Sequence, residues 1–159
     1  MKTKTVAFVL HKSVEEFYET AKKLRRLFSR LIEEENAETF LFAGQSFFDY
    51  FCCEILTDLK RYYPLINRVY IRQLQDKMSD YDKMSLSHNF DKVFIPIIIQ
   101  NKNLYKSRYI AMIDKCDILV TYYNKDYKLL KGKAAATKNA VEYALKANKR
   151  IINLADELK

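Results

Sequence analysis

Residues 39–53, TFLFAGQSFFDYFCC, change periodicity halfway along, and that change limits the folds open to the chain. Phe40, Leu41, Phe42 and Ala43 form an apolar run too short for a surface helix, as expected of a strand buried on both faces. Beyond Gly44 and Gln45, Ser46 and Asp49 stand three apart, the spacing of a capping box with Asp in place of Glu or Gln. Phe48, Phe51, Cys52, Ile55, Leu59 and Tyr62 then recur at helical spacing. Strand, tight turn and helix are predicted in that order. A helix start leaves backbone N–H groups free, and a glycine beside it lets an anion approach them closely. An ordinary structural turn has the same form, so the meaning of this unit depends on what surrounds it.

The surroundings repeat the unit. Residues 5–10, TVAFVL, read as a first strand, and Ser13 with Glu16 caps a helix whose apolar stripe runs through Phe17, Leu24, Phe28 and Leu31. The helix after Ser46 stops near Pro64, and residues 67–72, NRVYIR, read as a third strand. Residues 73–104 give a weaker pattern: a helical turn over 80–87, then a strand over 91–99 that Pro96 confines to an edge or terminates. Residues 105–116 form a helix with Tyr109, Met112, Ile113 and Cys116 on one side, leading into a strand over 117–123. A basic loop precedes a helix over 134–148, whose inner face holds Ala140, Val141, Ala144 and Leu145, and residues 150–154 supply a last strand. Alternation of this kind predicts one α/β domain over residues 1–159, a Rossmann-like, doubly wound, mostly parallel sheet with helices on both faces.

Composition excludes several classes. The longest purely apolar run, from Phe94 to Ile99, is far short of the roughly 18 to 20 residues of a membrane span. The short apolar run after the N-terminal lysines lacks the form of a signal peptide, so a cytoplasmic protein with no membrane partner is expected. Three cysteines in apolar patterns, Cys52, Cys53 and Cys116, suit small core residues better than a disulfide framework or a zinc site. Of the formal charge of +8, a net +6 falls between Lys125 and Arg150. Such a segment attracts a nucleotide, a nucleic acid or an acidic protein, and also occurs as a plain solvated face.

Four segments carry a resemblance: AFVLHK, FLFAGQSFFD, SRYIAMIDKCDILVTYY and ATKNAVEYALKANKRIINL. Together, over roughly four-fifths of the chain, they resemble the SLOG superfamily, Rossmann-like proteins related to the DNA-processing protein DprA and the LOG cytokinin-activating enzymes. The likeness is to its small, single-domain bacterial and phage branch. His11 and Lys12 stand where that branch has His and Arg, with Leu10 in place of a glycine. Gly44 and Asp49 match its second turn, while Gln45 and Phe47 occupy positions where it has further glycines. Arg108, Met112 and Asp114 match its helix motif, and Thr137 matches the Thr of a Gly-Thr pair whose glycine is here Ala136.

A doubly wound sheet binds ligands beyond the carboxyl ends of its strands, where strand order reverses. That rule gathers His11, Lys12, Gly44, Gln45, Ser46, Asp49, Tyr123, Asn124, Thr137 and Lys138 around one crevice. Ser46 and Thr137 offer hydroxyls to a phosphate or cap their helices, and Arg108 either grips a phosphate or pairs with Asp114 or Asp117. Tyr122 and Tyr123 alternate across the strand, so only one of them can stack a base. The resemblance implies binding of a nucleotide or nucleotide-derived signal, by a sensor or sequestering protein, and a homodimer. Catalysis is not expected: LOG enzymes use a Pro-Gly-Gly-x-Gly-Thr loop to hold a nucleoside monophosphate, and residues 133–137 read KAAAT. No catalytic, metal-binding or cofactor motif stands out in its place. The alternatives are a divergent nucleoside 5'-monophosphate N-glycosidase, single-stranded DNA binding through the basic segment, and a purely structural or interaction role.

Overall fold

The computed structural model describes residues 2–10, 17–43, 47–72, 79–94, 104–122 and 133–157. Six strands, β1 (Lys4–Leu10), β2 (Ala37–Phe42), β3 (Asn67–Ile71), β4 (Lys92–Phe94), β5 (Ile118–Tyr122) and β6 (Arg150–Asn153), form one sheet in the order β4-β3-β2-β1-β5-β6. All five pairings are parallel. Between the strands lie α1 (Phe17–Glu35), α2 (Phe47–Leu59), α3 (Asp80–Asn89), α4 (Leu104–Lys115) and α5 (Lys133–Lys146), with the short α6 (Leu154–Glu157) after β6. The predicted α/β architecture is the one observed.

Strand alternation divides the core into two layers. Val6, Phe8, Phe40, Phe42, Ile118 and Val120 point to a first face covered by Leu24, Phe28 and Leu31 of α1 and Cys52, Leu56 and Leu59 of α2. Ala7, Val9, Leu41, Ala43 and Leu119 point to a second face covered by Met112, Ile113 and Cys116 of α4 and Ala140 and Ala144 of α5. Residue size follows this division. The first face is built from phenylalanines, with Phe8 stacked on Phe42 at 4.5 Å and edge-on to Phe28 at 5.4 Å. The second face carries alanines on both sheet and helix, which lets α5 approach closely. Right-handed crossovers explain the assignment: successive moves from β1 to β4 keep their helices on one face, and the return to β5 sends the next helices to the other.

Two aspartates fix register at the amino end of the sheet. Asp117, just before β5, donates its N–H to the Thr5 carbonyl at 2.8 Å and accepts the Thr5 N–H on Oδ2 at 2.9 Å. Asp91, just before β4, makes the same pair of bonds with Arg68, both at 2.8 Å. Each carboxylate takes up the first N–H on the neighbouring strand that the ladder leaves over.

Several boundaries differ from expectation. The weakly patterned middle forms α3 over ten residues and, over Lys92–Phe94, an edge strand; residues 95–99 of the strand expected there, with Pro96, lie outside the described residues. Leu154, predicted to end the last strand, instead begins α6 and is fully buried on the first face. Tyr62 and Leu145, assigned to inner faces, are 69% and 60% exposed. Tyr62 lies beyond the end of α2, so helical spacing no longer aims it. Leu145 lies about 100° round α5 from the buried Ala144 and about 140° from Ala140, which carries it past the rim of the inner face.

Candidate functional site

Strand order reverses between β1 and β5, which are neighbours in the sheet although α1 to α4 separate them in sequence. The register Val9↔Thr121 and Leu10↔Tyr122 brings both strands to their carboxyl ends together. A crevice at this point is where an open parallel sheet takes its ligands. His11, Lys12, Gly44, Gln45, Ser46, Tyr123 and Asn124 belong to the connections at this end and lie outside the described residues. Arg108 lies in the first half of α4, the helix that follows β4, with its side chain outside what is described.

Two predicted residues are buried. Asp49 sits in the first turn of α2 and is buried. It shares the buried stripe of Cys52, Cys53 and Leu56, which anchors the helix start to the first face. Thr137, near the start of α5, is buried to 1%, three and seven residues ahead of Ala140 and Ala144, so the same helix face that packs on the sheet carries it. Lys138, next in sequence, is exposed on the outer side with its Nζ 4.0 Å from Glu142.

A third residue was not anticipated. Thr121, the penultimate residue of β5, is fully buried, and its Oγ1 has no hydrogen-bond partner among the described residues. Two residues beyond Leu119, it points to the second face, the one α5 covers. Its hydroxyl follows the apolar start of ILVTYY, but threonine is β-branched and suits any strand, so the sequence did not set it apart. Tyr122 turns to the opposite face and packs half-buried on the phenylalanine layer.

The remaining buried polar residue among those described, Arg68, lies at the amino end of the sheet and is closed by internal bonds. Its Nε meets Asp91 Oδ2 at 3.2 Å, its Nη1 donates to Thr57 Oγ1 at 2.5 Å, and Lys60 reaches Asp91 Oδ1 at 2.6 Å. Burial alone would raise the Asp91 carboxyl, but the bonds from Arg68 and Lys60 prevail and hold it at about 2. Asp114, matched to the resemblance motif, is also committed to structure: its Oδ1 accepts the Tyr143 hydroxyl at 2.6 Å and its carbonyl accepts Lys149 at 3.3 Å, tying α4 to α5. Asp117 is occupied by the β1 backbone. Both acids offered as alternative partners of Arg108 therefore have other work in the fold.

The thiols are inert. Burial, then the charge of Asp49, pushes Cys52 well above its ordinary range, and burial takes Cys53 and Cys116 up to about 11. A protonated buried thiol is neither nucleophile nor metal ligand. The basic segment is partly neutralised from outside as well, because Arg150 pairs with Glu35. Among the described residues no helix is long and apolar enough to cross a membrane.

No protein-family model and no curated protein matches the chain.

Proposed function

We propose that the crevice beyond the carboxyl ends of β1 and β5 binds a nucleotide or nucleotide-derived signal, so that the chain acts as a sensor or sequestering protein of the SLOG type. The observation that carries this reading is the placement of buried polarity. Of the four buried polar side chains among the described residues, Arg68 is consumed by an ion pair, and Asp49, Thr121 and Thr137 all stand at the end where strand order reverses. Buried hydroxyls near the start of a helix are suited to accept or donate to phosphate oxygens as the backbone N–H groups do. Binding is favoured over turnover because the thiols are protonated and the LOG phosphate loop is missing from the sequence.

Protein purified from cells and then denatured should release a nucleotide that mass spectrometry identifies. Thr137→Val, which keeps the side-chain shape and removes the hydroxyl, should reduce that yield, as should Arg108→Ala. The reading fails if the native protein is empty and shows no thermal shift with mono-, di- and cyclic nucleotides.

A further inference from the structure

The outer side of the first helix layer carries charge that the fold leaves unanswered. Leu24, Phe28 and Leu31 turn the apolar stripe of α1 into the core, so Lys22, Arg26 and Arg30, set four apart, form an exposed ridge along its outer side. Arg61, in the turn after α2, is exposed as well. Among the described residues no carboxylate pairs with any of these four cations. Glu33 and Glu34 are the exposed acids of the same helix end, and Glu33 accepts the Tyr63 hydroxyl.

The turn is pinned against α1. Asp58 pairs with Arg25 and Tyr63 bonds to Glu33, so the residues between them lie along that helix. Lys60 reaches Asp91 at 2.6 Å, Ile66 is buried, and the Tyr62 and Tyr63 N–H groups both donate to the Leu59 carbonyl, at 3.0 and 2.9 Å. Held in this way, the turn still presents Tyr62 and Leu65 to solvent, 69% and 76% exposed. An apolar pair on a preformed turn loses little further freedom when a partner covers it, and tyrosine and arginine are the side chains that contribute most at protein interfaces.

We propose that this face docks an acidic segment of another protein, whose carboxylates meet Lys22, Arg26, Arg30 and Arg61 and whose apolar side chain packs on Tyr62 and Leu65. Exposed ion pairs are individually weak, so the cations select the partner and the apolar pair holds it. A second copy of the chain would set like charges against each other. A membrane surface would need the apolar stripe of α1, which the core has already taken, and a nucleic acid would leave Leu65 with nothing to pack on. The face is separate from the nucleotide crevice, because the turn leads into β3 at the amino end of the sheet.

Selection of phage-displayed random peptides on the immobilised full chain, followed by anisotropy titration of the peptides recovered, tests this directly. The peptides should carry several Asp or Glu residues around a Leu, Phe or Trp, and their affinity should fall as salt is raised. Arg26→Gln with Arg30→Gln, and separately Tyr62→Ser with Leu65→Ser, should each weaken binding about tenfold at unchanged melting temperature. Recovery of no peptide, peptides without acidic residues, or affinity retained in either double variant would each overturn the assignment. So would binding of oligothymidine or of phosphatidylserine vesicles that is lost in Tyr62→Ser with Leu65→Ser, since the face would then belong to a nucleic acid or a membrane.

Discussion

Asp91 does three jobs with one carboxylate: it receives the Arg68 backbone, pairs with the Arg68 guanidinium and holds Lys60. Arg68 is buried, so removing the countercharge leaves a cation in a poorly solvated place. Asp91→Asn should therefore lower stability at pH 7 by about 1–3 kcal/mol in urea unfolding. The pH dependence has a definite sign. A folded value of about 2 lies below the ordinary carboxylate value, so the contribution is complete above roughly pH 4 and disappears as pH falls towards 2. The gap between wild type and Asp91→Asn should close over that interval. A gap that stays constant from pH 5 to 2.5 would show that the charge of Asp91 is not what stabilises β3 against β4.

Helix termination in this chain departs from the usual chemistry. Only two glycines are present, and neither falls within the described residues. The residues that leave α1 and α5 in the left-handed region are instead Asn36 and Asn148, each with φ of 58°. Asparagine tolerates that conformation better than other residues with a Cβ because its short amide can bond locally. Asn36→Ala and Asn148→Ala should each cost about 1 kcal/mol, whereas the glycine substitutions should be neutral or stabilising. Thermal unfolding of the four variants separates backbone strain from loss of the amide: if glycine is as harmful as alanine, the amide matters and the φ value does not. The polar signal for these caps was present in ENAE and ANKR, but Asn is common enough in loops that only the backbone angle identifies it.

For the whole molecule, stability should fall from the centre of the sheet to its edges. β1 is paired on both sides and packed on both faces, with Val6 to Val9 at most 1% exposed. β4 is a three-residue edge strand with Val93 48% exposed, and β6 closes the other edge. In hydrogen exchange, amides of β1 and β5 should be the slowest and those of β4 among the fastest of any strand. Equal protection of β4 and β1 would mean that the sheet opens as a unit. This gradient also bears on function, since the proposed crevice lies at two interior strands, β1 and β5.

Periodicity by itself determined that strands and helices alternate, because apolar spacing of 2 or 3.6 is a local property and the packing of β1, β2 and β5 requires no special residue. It also determined which residues of α4 face inward and that the three cysteines are core residues. Strand order was beyond it. Nothing local distinguishes β5 beside β1 from β5 beside β4, and that choice, made by crossover handedness and the sum of two packed layers, creates the point where strand order reverses. The pairings of Arg68 with Asp91 and of Tyr143 with Asp114 are tertiary in the same sense, each joining residues 23 and 29 positions apart. Thr121 shows the difference most simply. In the sequence it is a β-branched residue suited to any strand, and only the fold encloses its hydroxyl between β5 and the helix layer, where it needs a partner.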